Sequence, residues 1–233
     1  MNYSEPCKYS IRLIERLKSL DTKGALDFAL IDKAIYWAKK YHDGQFRKSG
    51  EPYYTHPLEV AYMLSEYNLK TDITVTAILH DIVEDTQVTA GMILDAFGRR
   101  IEEMVDRLTR DRPDGSKLSV EEILNNAYKK DDKEVLLIKF VDRLHNMQTI
   151  DAQTAEKQKK TATETLNFFM VVIVNAEYKN IESLMYQICC KNLSIKITPN
   201  ETTSYLDYLD YTDNHQLVSQ VFQNVITHTK NIG

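Results

Sequence analysis

His80 and Asp81 sit side by side near the end of an apolar run that begins at Asp72, and Glu84 and Asp85 follow one helical turn later. Residues four apart share a helix face, so His80 should stand over Glu84 and Asp81 over Asp85. Four polar side chains within six residues are unfavourable in a buried helix unless something compensates them. A divalent metal does so directly, because imidazole and carboxylate are both ligands. The competing explanation is a solvated helix end with an ordinary hydrogen-bonded histidine. For a His-Asp dipeptide alone the second explanation is favoured, because such dipeptides are frequent by chance.

Other positions weigh in. His56 precedes Pro57, which predicts an extended His56 presented at the mouth of a helix whose first residue is the proline. Asp142 follows the apolar stretch Val135–Val141, where a carboxylate needs a partner. Asp142, Asn146 and Thr149 are spaced i, i+4 and i+7, so one polar stripe crosses an apolar helix. A structural reading pairs Asp142 with Arg143 or another base. A functional reading makes it the fourth member of a His56–His80–Asp81–Asp142 site, with positions left for water and substrate.

The elements that must hold these residues are helices. The 233 residues contain only seven glycines and five prolines, too few tight-turn formers for a sandwich or barrel. Apolar periodicity of three to four residues predicts helices around Ile11–Leu20, Phe28–Ala38, Pro57–Leu64, Asp72–Asp85 (capped by Asp72), Thr89–Gly98, Arg100–Arg110, Val120–Lys129, Glu134–Ile150, Thr154–Val174 and Ile181–Cys190. Segments 45–56 and 111–116 carry the Gly and Pro of loops. Residues 191–233 are polar and weakly periodic, with one short helix expected near the end. The 34 acidic and 29 basic side chains give a net charge of −5, which argues against a general nucleic-acid binder. Cys7, Cys189 and Cys190 fit no disulfide framework or zinc knuckle. With neither an export signal nor a bilayer-length apolar run, a cytoplasmic chain is expected.

The order His56, His80-Asp81, Asp142 on successive helices resembles the HD superfamily of metal-dependent phosphohydrolases. The segments from Arg47 to Ala61, His80 to Thr86 and Asp142 to Met147 resemble the hydrolase domain of the RelA/SpoT family, including its single-domain small alarmone hydrolases. The resemblance spans roughly residues 28 to 190. It implies an all-α HD-domain bundle of about eight to ten helices over residues 1–190, with 191–233 as an extension. It implies hydrolysis of the 3′-pyrophosphate of ppGpp and pppGpp, giving GDP or GTP and pyrophosphate. It also implies His56, His80, Asp81 and Asp142 as ligands of manganese, and Glu84 and Asp85 as the pair that orients and deprotonates water. Arg47, Lys48, Ser49, Asn146 and Thr149 become the contacts to a guanine nucleotide, with neither nucleic acid nor membrane as partner. Arg47 and Lys48 supply positive charge to a polyanion, and a guanidinium can stack on a purine.

The chain also departs from that family. Gln148 replaces a usual arginine, and Ile150–Gln153 is more polar than the aliphatic stretch it matches. The segment Met170–Ala176 replaces the one leading toward the synthetase. The last 43 residues are too few for a synthetase domain, so hydrolysis alone is expected. The alternatives are an HD phosphohydrolase for another nucleotide, such as NADPH or a dNTP, and a catalytically weak metal-binding regulatory module. His42 and His145 read as structural rather than ligating, and His215 and His228 lack acidic partners at ligand spacing. Trp37 and the tyrosines read as core and rim packing, and Lys157–Lys160 as a solvated helix face. A weak apolar stripe from Leu206 to Val225 leaves a homo-oligomer open.

Overall fold

A computed structural model describes residues 2–112, 114–175 and 178–194. It is all-α, with no strand among the described residues and two isolated antiparallel bridges, Phe46 with Pro52 and Asp111 with Lys117. The chain clusters into two compact units, one over Met1–Ala152 and one beginning at Gln153. The expected C-terminal helix, the Leu206–Val225 stripe, His215 and His228 lie outside the described residues. No helix among the described residues is long and apolar enough to cross a membrane.

The first unit carries α1 (Lys8–Leu20), α2 (Phe28–Tyr41), α3 (Thr55–Leu64), α4 (Thr71–Leu79), α5 (Ile82–Asp85), α6 (Ala90–Phe97), α7 (Arg99–Leu108), α8 (Val120–Lys129) and α9 (Lys133–Gln148). A 3₁₀ turn, Ile150–Ala152, closes it. Helix α4 is its axis, packed against α2, α3, α7 and α9. Every residue from Ile73 to Leu79 is buried. That run is rich in β-branched residues and still forms a helix, because its two threonines can be satisfied locally. Thr74 Oγ1 donates to the Lys70 carbonyl at 2.9 Å and Thr76 Oγ1 to the Asp72 carbonyl at 2.7 Å, so neither hydroxyl is left unpaired in the core. Helix α9 is similarly apolar, buried throughout Val135–Val141 and again at Leu144 and Met147. Each such aliphatic or aromatic side chain contributes about 1.5–3 kcal/mol by burial.

Caps explain several helix starts. Asp27 accepts from Leu30 N–H, Thr89 from Met92 N–H and Asp132 from Val135 N–H, and Ser119 with Glu122 forms a capping box. Gly98 joins α6 to α7 at φ +86°, a conformation open to glycine.

Four local expectations are corrected. Helix α4 begins at Thr71 with Lys70 at its N-cap, and Asp72 lies within the first turn, paired with Arg100 at 2.8 Å. Helix α3 begins at Thr55, so His56 is helical rather than extended and Pro57 is third. The proline is tolerated there because the first four helix N–H groups lack intrahelical partners anyway. The helix expected over Asp72–Asp85 is broken at His80-Asp81, with Asp81 at φ −101° and ψ −6°. The helix expected over Thr154–Val174 divides into α10 (Ala155–Glu164), a π turn (Thr165–Phe169) and α11 (Met170–Asn175). With α12 (Lys179–Leu193) these segments form the described part of the second unit, where α12 packs against α10 and α11. The breaks also account for twelve α-helical segments among the described residues where eight to ten were expected.

Candidate metal centre

Helix α3, the α4–α5 break and helix α9 bring the four expected ligands together. His56 Nε2 lies 3.2 Å from Asp142 Oδ1 and 3.5 Å from Asp81 Oδ2. His80 Nε2 lies 3.1 Å from Asp81 Oδ1 and 3.7 Å from Asp142 Oδ1. One ligand atom each from His56, His80 and Asp142 fall within 4.8 Å of one another. Both histidines are buried, whereas Asp81 and Asp142 keep a partly exposed edge where water can reach. The break brings the Asp81 carboxylate to this cluster. Asp81 is the N-cap of α5 but makes no capping bond, and its carboxylate faces the two imidazoles.

The set fits a divalent ion on its own chemistry. His80 Nδ1 lies 2.7 Å from the Ala77 carbonyl, and its Nε2 is buried with no hydrogen bond. Such an orphaned nitrogen beside two carboxylates has the geometry of a ligand. Burial opposes a charge on His80, but Asp81 and Asp142 outweigh it and hold its pKa at about 10. Burial likewise opposes charge on Asp81 and Asp142, and the imidazoles of His80 and His56 overcome it, keeping both carboxyls well below the usual range.

Around this cluster lies a ring of supporting contacts. Asn146 Nδ2 donates to Asp142 Oδ1 at 2.7 Å, and Tyr53 OH donates to Asp81 Oδ2 at 3.0 Å. Lys139 is buried with its Nζ 3.7 Å from Asp142 Oδ2, so the base that a purely structural reading required is present as well. Arg47 reaches from its loop to α9, donating to Asn146 Oδ1 at 3.2 Å and Thr149 Oγ1 at 2.9 Å, with Nη1 3.3 Å from His145 Nδ1. Three of the expected nucleotide contacts, Arg47, Asn146 and Thr149, are thus one hydrogen-bonded group beside the His–Asp cluster. Lys48 and Ser49 are exposed at the turn that Gly50, at φ +86°, completes.

Glu84 accepts from the Arg110 backbone N–H, and burial raises its carboxyl above the ordinary value. Asp85 is more open, and partial desolvation and the neighbouring Asp81 raise it too. Gln45 Nε2 donates to the Asp85 carbonyl at 2.7 Å.

Sequence reasoning set Tyr53 among packing residues and did not single out Lys139 or Gln45. The spacing Lys139–Asp142–His145 is i, i+3, i+6, which carries Lys139 toward the ligand's side of α9. His42, expected to be structural, is buried, bonded through Nδ1 to Gln45 at 2.8 Å and stacked on Tyr53. Trp37 packs edge-on against Phe97.

An all-helical bundle holding a His…His-Asp…Asp cluster defines a metal-dependent HD domain, and residues 34–173 match that family. The chain belongs to the HD domain family. Among curated relatives, a "GTP pyrophosphokinase" of Myxococcus xanthus is 40% identical over 151 residues, covering 61% of this chain and 20% of its own. A "Probable guanosine-3′,5′-bis(diphosphate) 3′-pyrophosphohydrolase" of Mycoplasma genitalium is 32% identical over 181 residues, 73% of this chain and 25% of its own. The chain therefore spans a quarter or less of the length of these relatives. A solved structure described as "A metazoan ortholog of SpoT hydrolyzes ppGpp and plays a role in starvation responses" matches with a TM-score of 0.55 at 22% identity. It covers 82% of this chain and 99% of that one, a likeness of fold.

Proposed function

We propose that the chain hydrolyses the 3′-pyrophosphate of ppGpp and pppGpp, releasing pyrophosphate and leaving GDP or GTP. The observation that carries this reading is the joining of the ligand cluster to Arg47, Asn146 and Thr149, which sets a phosphate-binding guanidinium beside a metal centre. The name of the Mycoplasma genitalium relative supports the choice of nucleotide. His56, His80, Asp81 and Asp142 hold the ion. Manganese, the metal of the family the sequence resembles, suits a set of imidazoles and carboxylates with no thiolate. When bound, the ion supplies a lowered pKa for water and neutralises charge on phosphoryl oxygens.

The side chains do the rest. Arg47 and Lys48 neutralise and hold the polyphosphate, with Ser49 donating beside them, and Asn146 and Thr149 orient the ribose-proximal phosphate. Glu84 and Asp85 accept the proton of the attacking water, a role their raised carboxyls suit. Water adds to the phosphorus on the ribose 3′ oxygen, the bond to that oxygen breaks, and the proton taken from water passes to the 3′ oxygen as pyrophosphate leaves.

The test is a panel. Purified protein with Mn²⁺ is given ppGpp, pppGpp, NADPH and dNTPs beside an Asp81→Ala control. Pyrophosphate released from ppGpp and pppGpp by the wild type alone supports the proposal. Turnover of another nucleotide only, or of none, overturns it in favour of a different phosphohydrolase or a binding module.

A further inference from the structure

His145 is near the centre yet ligates nothing in the proposed set. Its Nδ1 lies 2.8 Å from Nδ1 of His56, 89 residues away in the chain, and the two rings are 4.9 Å apart between centroids. A contact between two ring nitrogens at that distance needs one proton, on one side. Which side carries it is decided by Arg47, whose Nη1 lies 3.3 Å from the same His145 nitrogen. A guanidinium only donates, so His145 Nδ1 serves both neighbours only as an acceptor, its single lone pair shared between Arg47 Nη1 at 3.3 Å and the nearer His56 Nδ1 at 2.8 Å. The proton in the pair therefore belongs to His56 Nδ1. In a neutral imidazole this leaves the lone pair on Nε2, the atom that faces Asp142 and Asp81.

We propose that His145 is a positioning residue, held as an acceptor by Arg47, that keeps the proton on His56 Nδ1 and so presents His56 Nε2 to the metal. The two imidazoles then reach the same orientation by different devices. His80 uses the Ala77 carbonyl on its own helix, and needs nothing beyond α4. His56 depends on a side chain of α9 and on an arginine of the loop before α3. This inference rests on the metal-centre reading of His56 and on no statement about the nucleotide.

The experiment compares wild type with His145→Phe, which keeps a planar ring without an acceptor, and His145→Gln, whose amide oxygen can accept. Manganese affinity is measured by calorimetry on stripped protein. ¹⁵N-histidine spectra of the Zn²⁺-loaded protein report which imidazole nitrogen carries a slowly exchanging proton. Expected are a proton on His56 Nδ1 in wild type and H145Q, and Mn²⁺ binding weakened about 10–100-fold in H145F and largely recovered in H145Q. A proton on His145 Nδ1 in the wild type overturns the proposal, as does H145F binding Mn²⁺ like wild type, or H145Q as weak as H145F. Should H145F fail to fold, the wild-type spectrum and H145Q still decide. No nucleotide enters these measurements, so a protein that holds His56 this way and leaves ppGpp intact counts against the proposed reaction alone.

Discussion

His80 Nδ1 lies 2.7 Å from the carbonyl oxygen of Ala77, three residues back in the chain, and that contact turns Nε2 toward Asp81 and Asp142. His80→Ala and Asp142→Ala each remove a ligand and are expected to abolish Mn²⁺ binding in calorimetry. Loss of several kcal/mol of charge stabilisation should lower pyrophosphate release by about a thousandfold or more. A variant that binds no Mn²⁺ and retains full turnover would refute the metal-dependent reading.

Glu84→Gln and Asp85→Asn should separate proton transfer from metal binding. Each is expected to lower kcat by about 10²–10⁴-fold, the range for a positioned acid or base, while calorimetric Mn²⁺ affinity stays near wild type. Because burial raises Glu84 and partial desolvation raises Asp85, the base is lost at higher pH than for free carboxyls. The acid limb of kcat/KM, which falls as pH drops through that pKa, should lie above the ordinary 3.8–4.5.

Arg47→Lys keeps the charge but cannot reproduce a planar fork bonded to Asn146 and Thr149 at once. Loss of charge-assisted hydrogen bonds of about 1.5–3 kcal/mol should raise KM for the nucleotide roughly 10–100-fold. Steady-state kinetics on the lysine variant measures this, and an unchanged KM would remove Arg47 from the substrate site.

Metal-free protein should be most stable near pH 6.5. His80 is raised from 6.5 to about 10, so its contribution is complete below 6.5 and is lost as pH climbs through 10. His145 is lowered from 6.5 to about 3, mainly by burial and then by His56 and Arg47. It stays neutral in the fold while the unfolded chain takes up a proton, so stability falls as pH drops from 6.5 toward 3. Urea titrations in EDTA at pH 5, 6.5 and 9 should show the midpoint highest at 6.5. Binding of Mn²⁺ displaces about one proton from His80, so the stabilisation it confers should grow from pH 6 to pH 9.

The cluster was legible because a carboxylate or imidazole inside an apolar helix is conspicuous, and His80, Asp81 and Asp142 all interrupt such runs. Helix α8 was legible to the residue, since Ser119 and Glu122 mark its start chemically. The break at Asp81 was not, because a helical pattern says where apolar residues face and nothing of where a carboxylate must turn. Nor was the π turn at Thr165, which inserts a residue without changing composition. The role of His145 rests on Arg47, 98 residues distant, and no local pattern carries that pairing. His56 misled for a specific reason: the bias against helix before proline is weak at the first turn, where the Tyr53 carbonyl accepts from its N–H.

The segment Gln45–Tyr53 looks like an ordinary surface loop, yet both its ends are tied to the centre, Gln45 to Asp85, Arg47 to α9 and Tyr53 to Asp81. Between those ties the tip is a closed turn, in which Gly50 N–H donates to the Arg47 carbonyl at 2.9 Å and Arg47 N–H to the Glu51 carbonyl at 2.8 Å, with Lys48 and Ser49 exposed between them. An added residue between Lys48 and Ser49 opens the Gly50–Arg47 bond and lengthens an exposed turn, whereas one between Gln45 and Arg47 moves the guanidinium off three acceptors together. Added length is therefore best tolerated at Lys48 and Ser49, two adjacent positions in a loop otherwise fastened to the bundle on both sides.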